Sequence, residues 1–398
     1  MTLPTSTALS KQLIVLLAAT SAMGPAAMQI LLPALPIIKD SFQVSNDVAQ
    51  MTLSLSMLAI ALGTLTYGPM SDKYGRKPIM LIGLLTTLVG SIFCLFANTI
   101  ESLILWRFVQ AFGGAVGLVV ARAIVRDVYA AEEAAGVIAT LVMVMVVIPM
   151  LSPALGGELM ARFGWHSVFL AIAVFSTLIF ILLFRNLPET LKKPAPFVGF
   201  RAMFATFARL LRAPAFRGYA FCVAFVSVVF FAFISAAPEI MVSVLDRPAT
   251  EYGYYFIMIP AGFMAGNYVA RRFGKSFAMD RMIHLGSKIA LGGICLALIV
   301  QLTGFQEPIG LFAPVTLAVF GNGITLPNAQ AAAINEFPQF AGSASGLTGF
   351  LQMSFSAVAA QLVAFIFNGT VYPLLLLMLV ASTASLLSFK FGVLSQRT

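Results

Sequence analysis

The stretch Gly68-Pro69-Met70-Ser71-Asp72-Lys73-Tyr74-Gly75-Arg76-Lys77-Pro78 decides how this chain is built. A long apolar run precedes it and another follows, each close to the roughly twenty residues that a membrane helix needs. So much charge in a tight turn between two apolar helices has a physical use. Gly75 permits a sharp reversal, Asp72 offers a fixed anion, and Arg76 offers a planar fork of donors.

The same alternation continues on both sides. The 398 residues are 60% hydrophobic and only 10% charged, with a mean hydropathy of +0.96. A soluble domain carries about 25% charged residues. Polar groups are too few here to cover a globule, so lipid must solvate much of the surface. Apolar runs predict spans at 12–37, 48–70, 78–98, 102–123, 135–157 and 166–184, then 217–238, 253–270, 284–303, 309–331, 346–367 and 371–391. The grouping is six, a linker, six: an N-terminal bundle over 1–184, a linker over 185–216, and a C-terminal bundle over 217–398. Lys11 followed by an apolar run resembles a signal peptide, but the run continues to Leu35 and reads as a retained first span.

Charge placement gives orientation. All but four of the 24 lysines and arginines fall at the termini, in the linker and in the loops on the same side; the exceptions are Lys39, Arg107, Arg162 and Arg247. Basic loops stay in the cytoplasm, so both termini are expected there. The net charge of +9 therefore marks topology rather than a nucleic-acid surface. In the linker, Phe197, Phe200, Phe204, Phe207 and Leu211 recur at helical steps, with Arg201, Arg209 and Arg212 on another face. Such a helix either lies in the lipid interface or packs under the bundle. The cysteines Cys94, Cys222 and Cys295 are isolated, and the histidines are only His166 and His284, which argues against a metal site or disulfides. No cofactor motif and no catalytic constellation occurs.

Further motifs stand at matching places. Ala270-Arg271-Arg272-Phe273-Gly274-Lys275 repeats the charged turn between spans eight and nine, with Arg271 where the acid would be. Span four reads Arg107-Phe108-Val109-Gln110-Ala111-Phe112-Gly113-Gly114 and ends on Arg122, Arg126 and Asp127. Span five holds Pro149-Met150-Leu151-Ser152-Pro153-Ala154-Leu155-Gly156-Gly157, and Asn335-Glu336-Phe337-Pro338 precedes span eleven. Together with Leu32-Pro33-Ala34-Leu35-Pro36, these resemble the motifs of the major facilitator superfamily, and within it the Bcr/CflA-type drug-resistance exporters. The resemblance covers nearly the whole chain, more firmly in its first half.

What the resemblance implies is an all-α membrane protein, with twelve transmembrane helices in two six-helix bundles. The implied function is secondary export of small amphipathic organic compounds by alternating access, coupled to protons, by a monomer in the bacterial inner membrane. An uptake system or facilitator of the same fold, for a nutrient, peptide or siderophore, is the alternative. The resemblance puts Asp72, Arg76, Arg126 and Asp127 in a conformational latch, with Arg76 in reach of Asp127. It also puts Pro149, Pro153, Gly156 and Gly157 in an antiporter-like motif. The substrate cavity is expected to draw on Gln29, Arg107, Gln110, Phe230, Tyr254, Tyr255, Asn322, Asn328 and Gln352. One departure stands out: relatives carry a proton-binding aspartate where this chain has Gln29, and an amide cannot titrate. Glu158, Glu239 and Asp127 are then the candidate proton sites. Otherwise the chain is a facilitator, couples differently, or carries a substituted residue at 29.

Overall fold

The structure is a computed structural model, and it describes residues 9–129, 131–191, 199–274, 276–305, 307–337 and 340–394. Phe197, Lys275 and Pro338 of the motifs above lie outside the described residues, as do the side chains of Phe200 and Arg201. Among the described residues the regular structure is helical throughout, without strands.

In chain order the helices are α1 (Lys11–Gln29), α2 (Leu35–Phe42), α3 (Asn46–Tyr74), α4 (Arg76–Leu95), α5 (Ile100–Gly114), α6 (Val116–Val128), α7 (Ala131–Phe163) and α8 (His166–Asn186). They continue as α9 (Gly199–Arg212), α10 (Pro214–Ser243), α11 (Ala249–Phe256), α12 (Met258–Phe273), α13 (Met279–Leu302), α14 (Pro308–Asn335), α15 (Ala341–Phe365) and α16 (Tyr372–Phe389). Among the described residues, eleven continuous stretches are long and apolar enough to cross a membrane. The pair α11–α12, interrupted at Ile257, fills the remaining place, where the sequence predicts the eighth span.

The breaks have local causes. The first span runs through a 3-10 turn at Leu32–Ala34, because Pro33 and Pro36 cannot donate to an α-helical ladder. The fourth span, α5 to α6, is interrupted at Ala115 beside the Gly113-Gly114 pair. Apolar side chains also point outward, as in a helix meant for lipid. Phe365 is 75% exposed and Leu302 72%.

Contacts gather the chain into two compact units, Met1–Leu31 with Leu55–Phe197, and Leu32–Ser54 with Val198–Thr398. The second unit thus takes in a segment that the sequence reading gives to the N-terminal bundle. Its ties are specific: Lys39 Nζ donates to Glu239 Oε1 at 2.6 Å, and Gln361 bonds both Ser54 Oγ (2.8 Å) and the Asp47 carbonyl (2.9 Å). The linker helix α9 lies against α10 and α15 with Phe207 and Leu210 buried, while Phe204 faces outward. Arg209 covers the Phe340 ring at 5.4 Å.

Small residues set the spacing within the first unit. A methyl group at Gly24 would sit 2.9 Å from the Gly114 carbonyl oxygen, and one at Gly117 would collide with the Thr20 carbonyl. Backbones this close leave no room for Cβ, as in other membrane helix pairs. Gly117→Ala should therefore destabilise the detergent-solubilised protein by about 1–3 kcal/mol through overpacking. Gly292→Ala, where nothing lies within 4 Å, should be neutral or stabilising by up to about 1 kcal/mol. Thermal unfolding of the two variants side by side checks the contrast.

Candidate functional site

The charged turn between α3 and α4 becomes a closed network inside the first unit. Gly75 has φ +105°, a conformation that side chains rarely adopt, and a Cβ there would stand 2.6 Å from Glu189 Oε2. The turn aims the first N–H groups of α4 at one carboxylate. Arg76 N donates to Glu189 Oε1 at 2.9 Å and Lys77 N donates to Oε2 at 3.2 Å. Free N–H groups and the helix dipole both favour an anion at that end. Burial works against the Glu189 charge, but backbone donors from Leu191, Arg76, Lys77 and Thr190 outweigh it. They hold the carboxyl below its usual range.

The Arg76 side chain completes the network. Nε donates to Asp127 Oδ2 at 2.8 Å, Nη2 to Oδ1 at 3.5 Å, and Nη1 to Ser71 Oγ at 2.8 Å and to Asp72 Oδ1. The guanidinium is nearly buried whereas Asp72 is half exposed. Arg126, next to Asp127, is exposed. Sequence reasoning missed Glu189, Ser71 and Thr190; Glu189 stands 113 residues from its partner Arg76. Its only local signal is an acid just after the sixth span.

A second polar group lies in the middle of the same unit. Thr99 caps α5 by accepting from Ser102 N at 3.3 Å, which starts the helix that carries Arg107 and Gln110. A methyl at Gly90 would fall 2.6 Å from Gln110 N, so α4 and α5 touch there and Gln110 reaches across. Gln110 Nε2 donates to Ser91 Oγ at 2.7 Å, and Oε1 accepts from Arg107 Nη1 at 2.5 Å. Arg107 Nη1 also donates to the Ala27 carbonyl of α1 at 3.1 Å. The Phe169 ring lies 5.9 Å away. Arg107 is 1% exposed and Gln29 8%, and the Gln29 Oε1 atom finds no partner among the described residues.

In the second unit the expected cavity residues divide. Tyr255 joins an aromatic group with Phe312 and the fully buried Tyr252, while Tyr254 is 57% exposed on the other side of α11. Phe230 packs edge-on against Phe231 at 5.2 Å. Asn322 is buried and donates to the Val226 carbonyl at 3.5 Å; Asn328 bonds back onto its own helix at the Ile324 carbonyl (2.8 Å). Gln352 accepts from Gln330 at 3.2 Å. Glu239 holds Lys39 and Ser243, the latter donating at 2.8 Å. In the first unit, Glu158 is half exposed and paired with Arg162 at 3.2 Å. Along α7, Pro149, Pro153, Gly156 and Gly157 are buried, and a methyl at Gly156 would strike the Ile30 carbonyl.

Glu189 supplies a measurable pH dependence. Its folded carboxyl sits below the unfolded value, so its stabilisation is present above the ordinary carboxylate range. That stabilisation is lost as pH falls through the lowered value. Glu189→Ala should lower stability at neutral pH by about 1 kcal/mol, as losing a helix cap does. The gap from the unaltered chain should close below about pH 4, as thermal unfolding across pH will test.

The chain matches known proteins along almost its whole length. It is 28% identical to a bicyclomycin resistance protein homolog of Haemophilus influenzae, over 93% of each chain. It is 28% identical to multidrug resistance protein D of Escherichia coli, over 88% of each. With the chloramphenicol resistance protein CraA of Acinetobacter baumannii it shares 26%, over 84% of this chain and 81% of that one. The fold is that of a bacterial homolog of the human lysosomal transporter Spinster, with a TM-score of 0.76 at 16% identity, over 100% of this chain and 98% of that one. The family model described as Major Facilitator Superfamily matches residues 17–361, and the chain belongs to that superfamily of membrane transporters.

Proposed function

We propose that this transporter exports small amphipathic organic compounds from the bacterial cytoplasm by alternating access, driven by protons. The observation that carries the reading is the Arg107–Gln110–Ser91 group, a chain of polar contacts inside an otherwise apolar bundle. Charge at that depth is costly and is kept where solute or ions pass. The relatives named for resistance to bicyclomycin, chloramphenicol and several drugs support export over uptake. The one-sided distribution of lysine and arginine supports cytoplasmic termini. The Arg76 network then lies on the cytoplasmic side and acts as the latch, and nothing in the mechanism needs a second copy.

Coupling is the point at which this chain differs. Glutamine has nearly the shape of a protonated carboxylic acid and offers similar hydrogen bonds. Gln29 thus mimics a proton-loaded site that never unloads. A ligand moves a two-state equilibrium only by its differential affinity, so a fixed mimic removes the proton's leverage at this position. Among the remaining acids, Asp127 is engaged by Arg76 and Glu158 is half exposed beside Arg162. Glu239 is buried and held by Lys39, so taking up a proton there would release a cation from a specific contact. We assign it as the first acid to test.

Export is measured as accumulation in inverted vesicles at an imposed pH difference, with bicyclomycin and chloramphenicol among the probes. For these uncharged probes Gln29→Asp should raise proton-driven export about tenfold or more, because an acid whose pKa differs by one unit between the two conformations couples by about 1.4 kcal/mol. Glu239→Gln should make the remaining export insensitive to pH. Flux only in the opposite direction would establish uptake instead. Asp72→Asn should cut the transport rate while costing about 0.5 kcal/mol of stability or less, because a half-exposed pair one turn apart holds little. Full transport by that variant would remove the latch.

A further inference from the structure

Arg107 carries more donors than its surroundings use. Nη1 is doubly engaged, by the Ala27 carbonyl and by Gln110 Oε1. Nε and Nη2 find no acceptor among the described residues, although the side chain is 1% exposed. Neither engaged acceptor is charged. Among the described residues no carboxylate forms an ion pair with Arg107. Two residues on from Ala27 along α1 is the buried Gln29, an amide whose oxygen finds no partner among the described residues. A buried guanidinium without an anion is an expensive arrangement, and its planar fork is built for two parallel oxygens.

We infer that Arg107 binds an anionic group, the carboxylate of an amphipathic organic acid, and that this chain exports such compounds. The inference rests on the export reading above and adds the substrate class to it. The free Nε and Nη2 edge takes both oxygens of one carboxylate, the bidentate geometry in which arginine is strongest. The neutral Gln29 completes the argument, because a carboxylate at that position would supply the counter-charge from inside and repel the ligand. Chloride shares the charge but not the paired oxygens.

The test is equilibrium binding to the full-length protein in detergent, in chloride-free buffer. Intrinsic fluorescence serves as the readout, since both tryptophans, Trp106 and Trp165, belong to the first unit and Trp165 packs on Phe169 at 5.9 Å. The probes are cyclohexanecarboxylate and its near-isostere cyclohexanecarboxamide. The acid should bind about tenfold or more tightly than the amide, the ratio expected for charge-assisted hydrogen bonds. That ratio should fall to about one in Arg107→Gln, and also in Gln29→Glu, which keeps the arginine and supplies an internal counter-ion. Thermal unfolding identifies which variants are folded, and Gln29→Glu decides if Arg107→Gln is not. Equal binding of acid and amide overturns the proposal, as does a preference that survives both substitutions. A chloride response that depends on Arg107, without any acid preference, would make this an inorganic anion site and overturn the substrate class. Intact export in vesicles with no acid preference sinks this inference alone, whereas absence of any transport sinks the export reading and leaves the binding ratio to judge the anion site.

Discussion

Hydrocarbon gives a polar group nothing to bond, and that constraint shapes every part of this chain. Helices satisfy the backbone, and the remaining problem is the handful of charged side chains among apolar ones. The structure meets it differently at three places. At the α3–α4 turn, Arg76 is surrounded by Asp127, Asp72 and Ser71 while Glu189 takes the helix N–H groups. In the second unit, Lys39 and Glu239 neutralise each other. In the middle of the first unit, Arg107 has only neutral partners among the described residues, and we propose that this uncompensated charge serves solute recognition.

The turn network shows how a motif works through residues outside it. Asp72, Gly75 and Arg76 are close in sequence, but the contact that explains the glycine comes from Glu189, beyond the sixth span. A side chain at position 75 would displace the carboxylate that caps α4. Gly75 thus serves twice, by accepting a positive φ and by clearing space for its neighbour's partner.

The architecture was legible because the apolar runs are long and the charged gaps short, so each span could be bounded within several residues. Proline supplied the corrections: Pro33 and Pro36 divide the first span, and the eighth is broken at Ile257, three residues before Pro260. Arg107 and Gln110 could be singled out because polar residues are rare within spans, and the structure puts them 2.5 Å apart. Contacts between distant positions had no local trace. Nothing near Lys39 points to Glu239, and nothing near Glu189 points to Arg76. Periodicity also could not tell which of two adjacent tyrosines faces inward; Tyr255 meets Phe312 while Tyr254 is exposed.

The placement of Leu32–Ser54 in the second unit has a consequence for how the protein can be divided. The polypeptide passes between units at three points, near positions 31, 54 and 197, so the linker is only one of the covalent ties. A protease nick there would release no independent half. The N-terminal fragment would still own Lys39, Asp47 and Ser54, whose hydrogen-bond partners Glu239 and Gln361 belong to the other fragment. The two units are therefore expected to mature together.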